Sequence, residues 1–136
     1  MRRPSDDEFA PYYRQYIGLI HESDVLDAMR SQGRTFVEFL RGISEEDAEV
    51  LHAPYTWTIK EVVGHLADAE LVFAYRGLRF ARGDSTPLPG FDENEYVRRA
   101  DFGSVTLAAQ VDRFDAMRRA SCLTFSQFPS AAWDAR

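Results

Sequence analysis

An all-α bundle is what this sequence predicts, and three observations predict it. Apolar residues recur at three- and four-residue intervals along three long stretches, the signature of a helix with one buried face. Residues suited to helix capping, Asp24, Ser44, Thr58 and Asp92, precede four of the helical stretches, and glycine or proline closes most of them. No stretch shows the two-residue alternation of a half-buried strand, and there is no internal repeat or low-complexity segment. The 136 residues make a single domain over 1–136, and a composition 45% hydrophobic and 13% aromatic is enough to build a core.

The first eight residues are polar, and Met1-Arg2-Arg3 is not followed by the apolar stretch of a secretory signal. Pro11 suits a first helical position, where its missing N–H would be unpaired anyway. With Phe9, Tyr12, Tyr13, Tyr16, Ile17 and Ile20 at helical spacing, a short helix is expected at about 11–19, its aromatic stripe packed into the core. Asp24 is the N-cap of the next helix, whose stripe runs Val25, Leu26, Met29, Phe36, Val37, Phe39 and Leu40, and Gly42 closes it. Gly33, inside this helix, weakens it by about 1 kcal/mol relative to alanine. Ser44 opens a short acidic turn, and Ala53-Pro54-Tyr55 breaks the chain after it.

Thr58-Ile59-Lys60-Glu61 is a capping box, in which the threonine hydroxyl and the glutamate carboxylate each accept from the other's backbone N–H. A long helix to about Arg82 follows, with Ile59, Val62, Val63, Leu66, Ala69, Phe73 and Phe80 on its apolar side. Residues 83–104 form a connection rich in proline and glycine, with Asp92-x-x-Glu95 capping a short helix through Arg99. A link of this length in a small domain is a crossover strap or a functional loop. The last long helix runs from about Val105 to Phe125, with Leu107, Val111, Phe114, Met117, Ser121 and Phe125 inward. Pro129 stops it before one further turn at Ser130–Trp133.

Several classes of function are excluded or disfavoured. A formal net charge of −6 argues against nucleic acid as a partner, because phosphate neutralisation supplies most of such affinity. No apolar run approaches the roughly 18–20 residues that span a bilayer, so a soluble cytoplasmic protein is expected. One cysteine, Cys122, rules out a disulfide framework within the chain and reads as a small buried residue. There is no Gly-x-Ser-x-Gly elbow, phosphate-cradling loop, dinucleotide fingerprint or His-Glu-x-x-His, and no catalytic residue is assigned.

Of the three histidines, His21 and His52 fall in connections and read as solvated. His65 lies inside the second long helix, roughly 60° from the middle of its apolar stripe at about 100° per residue. That is the margin of a bundle, where an imidazole serves either as a bonded boundary residue or as a ligand. Gly64 beside it lets something approach the backbone closely.

The stretch Trp57-Thr58-Ile59-Lys60-Glu61-Val62-Val63-Gly64-His65-Leu66-Ala67-Asp68-Ala69-Glu70 resembles the signature of the DinB-like metalloprotein superfamily. Phe73-Ala74-Tyr75-Arg76, Arg82-Gly83-Asp84, Tyr13-x-x-Tyr16 and Phe128-Pro129-x-x-Ala132-Trp133 resemble it as well. The resemblance implies an up-down helix bundle with one long crossover, often dimeric. It implies one divalent metal, Ni or Zn, held by three histidines, and in some members thiol-dependent transferase or isomerase activity on a small molecule. His65 matches the ligand of the second helix, and Asp68 and Glu70 become candidates to orient it. The other two family ligands form a His-x-x-x-His pair on a fourth helix; no histidine follows His65 here. Three long helices are therefore expected, with the fourth missing or supplied by a partner, and with an incomplete metal triad. A last bundle helix buries about five large apolar side chains at roughly 1.5–3 kcal/mol each, so its absence leaves an apolar groove. Homodimerisation is the expected way to cover it, and a non-catalytic interaction domain is the alternative function.

Overall fold

The computed structural model describes residues 4–134. Among them there is no strand; the chain is helical throughout its ordered elements. Three long helices, α2 (Val25–Arg41), α4 (Ile59–Ala81) and α6 (Leu107–Ser126), form the body. Of three short ones, α1 (Arg14–Ile17) precedes the body, and α3 (Glu45–Glu49) and α5 (Glu93–Ala100) lie in the connections. No helix of the described residues is long and apolar enough to cross a membrane.

The helix starts follow from the caps. Asp24 accepts from the Leu26 and Asp27 N–H groups, and Ser44 from Asp47. Asp92 accepts from Asn94 and Glu95, and Thr106 from Ala109. At α4 the box is complete: the Glu61 N–H donates to the Thr58 hydroxyl and the Thr58 N–H to the Glu61 carboxylate. Each side chain satisfies backbone donors that have no partner within the helix.

Helix α6 is the central element, packed against both α2 and α4. The core is Val37 and Leu40 of α2, Ala48 of α3, Val63 and Ala67 of α4, and Leu107, Val111 and Phe114 of α6. Inward positions expected on the last helix are thus occupied, with Ser121 and Cys122 also buried and Met117 and Phe125 half-buried. Gly33 has a packing role that offsets its weak helix propensity. An added Cβ there would come within 3.0 Å of the Arg118 Cγ, so the glycine admits the arginine stem to the α2–α6 seam.

Two expectations are corrected. The expected N-terminal helical stretch is present, as a 3-10 turn at Pro11–Tyr13 running into α1, but Tyr12, Tyr13 and Tyr16 are exposed instead of joining the core. They pack on one another, Tyr12 against Tyr13 at 5.2 Å and against Tyr16 at 5.6 Å between ring centroids. On α4 the buried side is Val63, Gly64 and Ala67, rotated from the middle of the apolar stripe, so Val62, Phe73 and Phe80 remain exposed. An apolar face broader than one partner can cover leaves periodicity unable to say which flank α6 takes.

Candidate functional site

Val62 and Ile59 of α4 and Phe36 and Phe39 of α2 line an open groove of about 610 Å³, with the buried Leu40 and Val63 beneath and Tyr55 and Trp57 also in its lining. No aspartate, glutamate, lysine or arginine lines it; His52 and Tyr55 are its titratable residues. The rim is strongly exposed for such large groups, Phe39 at 65% and Tyr55 at 71%. At helical spacing from Val62 the same face of α4 continues through Leu66 and Ala69 to Phe73 and Phe80.

His65 stands one turn along α4 and is half-buried. It does not line the groove. Trp57 does, and its ring stacks on the imidazole at 5.1 Å between centroids, tilted by 53°. The local sequence builds this contact: the capping box fixes the entry of α4, and Trp57 immediately precedes Thr58. The His65 Nδ1 is buried with no hydrogen-bond partner.

The neighbouring acids are engaged elsewhere. Asp68 pairs with Arg113 and Glu70 with Arg118, the latter at 2.6 Å, so both carboxylates bond α6 and neither bonds the imidazole. Gly64 admits the ring of Phe102, from the one-turn segment before α6, and not a ligand. An ideal Cβ at Gly64 would lie 2.4 Å from the Phe102 Cδ1. Nothing in the residue pattern marked Trp57 as the ring partner of His65, although its position just ahead of the cap was visible. His21 and His52 are exposed, as their loop positions suggested. Cys122 is a buried free thiol whose pKa burial raises, which makes it a poor nucleophile.

A tight metal centre needs three or four converging donors, and a ligating imidazole ordinarily donates its other N–H to an acceptor. Among the described residues no group of three or more His, Cys, Asp or Glu side chains converges. The orphaned Nδ1 has no acceptor, and the two nearest acids in sequence are bound to arginines. The residues present therefore supply one donor, and they do not fit a metal ion by themselves.

Residues 28–136 match the family model of the DinB superfamily. The chain belongs to the DinB superfamily. The match opens inside α2 and takes in all of α4 and α6, so the DinB region contains the groove, Trp57 and His65; the exposed tyrosines of the N-terminal segment lie outside it. No match was found for this DinB chain among curated proteins or solved structures.

Proposed function

We propose that this DinB-superfamily chain acts as a homodimeric helical interaction domain, its α2–α4 groove covered by a second copy. The observation that carries the reading is the uncharged apolar lining of that groove, rimmed by Phe39, Tyr55 and Val62. A two-fold interface apposes the same patch on both protomers, so like charges meet at its axis. In a chain of net charge −6, a face without charge is the one on which self-association meets no repulsion.

Sedimentation of the full chain at micromolar concentration should give a two-protomer species. Phe39→Asp and Val62→Asp place a carboxylate on a side chain that is exposed in the protomer, so helix content should be retained. Each should weaken association by about 100-fold, since burying an unpaired charge costs several kcal/mol. A wild-type monomer across the concentration range, or variants that associate as well as wild type, would sink the reading.

A second reading is favoured by the orphaned nitrogen of His65. In it the imidazole is one donor to a divalent ion, Ni or Zn, whose other donors come from outside this set of residues, such as the second copy. Such an ion would supply Lewis acidity toward a thiol or small-molecule substrate. Titration with Ni or Zn should then show binding that His65→Ala abolishes and that Asp68→Asn leaves in place. Equal metal uptake by wild type and His65→Ala ends this reading without touching the first.

A further inference from the structure

A second pocket, of about 340 Å³, opens on the α2–α6 seam and shares no lining residue with the groove. Arg30, Gly33 and Arg34 of α2 line one wall; Asp115, Arg118, Arg119, Cys122 and Leu123 of α6 line the other. Helical periodicity assembles it. Arg30 and Arg34 are four residues apart, and Asp115, Arg118, Arg119 and Cys122 follow at three and four, so each set shares a face. Four guanidinium groups around one small pocket are unusual in an acidic chain.

Three of the four already have carboxylates. Arg30 pairs with Asp27 at 3.1 Å and Arg119 with Asp115 at 3.3 Å. Arg118 pairs with Glu70 at 2.6 Å and donates to the Gln32 Oε1 at 3.1 Å. Its stem lies along Gly33, its guanidinium lies over the Phe114 ring, and its Nε is buried with no partner. Arg34 makes no hydrogen bond or ion pair among the described residues. The pocket therefore carries one uncompensated positive charge on an exposed guanidinium, beside walls made of arginine stems, a buried thiol and Leu123. Burial and the neutral form of Cys122 make that part of the wall apolar.

We propose that the α2–α6 pocket binds a small organic monocarboxylate, with Arg34 gripping the carboxylate and Cys122 and Leu123 contacting its apolar tail. The single surplus charge matches a monoanion. The planar fork of arginine suits a carboxylate held by two parallel N–H donors. The volume is at the small end of the range for ligand sites. The reading does not depend on the groove or on any metal.

Hexanoate is the probe, with hexanol as its uncharged counterpart and inorganic phosphate as the anion without a tail, each titrated into the full chain by calorimetry. Hexanoate should bind about tenfold or more tightly than hexanol, and Arg34→Gln should erase that advantage, while Arg41→Gln, outside the pocket, should not. Because Cys122 is the chain's one cysteine, a thiol reagent reports on the pocket wall directly. Saturating hexanoate should slow its reaction in wild type and leave it unchanged in Arg34→Gln. Equal affinity for hexanoate and hexanol, phosphate binding tighter than hexanoate, an undiminished affinity in Arg34→Gln, or binding without thiol protection would each overturn the proposal.

Discussion

Gly64→Ala is expected to destabilise the fold by about 2 kcal/mol, although alanine is the better helix former. Intrinsic propensity alone predicts the opposite sign, a gain of roughly 0.5–1 kcal/mol for glycine to alanine inside a helix. Packing decides. The new Cβ would sit 2.4–2.5 Å from three ring atoms of Phe102, far inside contact distance. Phe102 has little room to yield, being 6% exposed, and its carbonyl oxygen accepts from the Gln110 Nε2 at 2.8 Å. Either α4 moves off the α6 entry segment or the ring leaves its site. Gly33→Ala is the internal control. There the nearest atom is a methylene of the long Arg118 side chain at 3.0 Å, which shifts by a few tenths of an ångström, so propensity gain and packing loss nearly cancel. Urea melts of both variants read the contrast, and Phe102→Leu should recover part of the Gly64→Ala loss. A stabilised Gly64→Ala variant would show that the Phe102 ring does not pack on α4.

What was legible in the sequence was local. The cap residues Asp24, Ser44, Thr58 and Asp92 act through backbone donors two or three positions away, so a short window contains the whole interaction. The three long helices followed, and with them the DinB-type architecture. What was not legible depends on partners distant in the chain. Asp68 and Glu70 look like neighbours of His65 along α4, yet their charges are taken by Arg113 and Arg118 of α6. The stripe through Val62 and Phe73 looks like the core side of α4, yet α6 packs on the adjacent flank through Val63 and Ala67. His65 itself was placed at the bundle margin, which its half-burial bears out. Its stacking on Trp57, and the unpartnered nitrogen, needed the turn of chain ahead of α4 to be in place.

The junction at the N-terminal end of α4 was equally hidden, and it should give the largest electrostatic effect in the molecule. Lys60 is the chain's only lysine and is 3% exposed. Its ammonium bonds the carboxylates of Glu45 and Glu49, the latter at 2.7 Å, and approaches the Gly103 carbonyl at 3.5 Å. Glu45 also accepts from the Leu107 N–H at 2.9 Å, so one carboxylate ties α3 to the starts of α4 and α6. The Glu45 pKa is accordingly lowered, first by the Lys60 hydrogen bond and then by the Leu107 N–H, and the Lys60 pKa is raised, first by Glu45 and then by Glu49. With the folded carboxyl below its unfolded value, the stability it contributes is present above the ordinary carboxylate range and is lost as pH falls through it. With the folded lysine above its unfolded value, its contribution is full below the ordinary lysine range and is lost as pH rises through it. In the double variant Glu45→Gln/Glu49→Gln the lysine stays buried with its counter-ions gone, and desolvation then pushes its pKa down instead of up. The alkaline behaviour must therefore reverse: the wild type loses the lysine's contribution as pH rises beyond the ordinary lysine range, while the double variant gains stability as pH climbs toward that range and the lysine gives up its proton. At neutral pH that variant should unfold at a much lower urea concentration than Glu46→Gln, an exposed control on the same turn. Adding Lys60→Met should restore most of the difference, because it removes the stranded charge and keeps the stem's packing. Urea midpoints measured across pH check all of these together. An alkaline slope unchanged in the double variant would mean that the ammonium reaches solvent and that the junction is not held by charge.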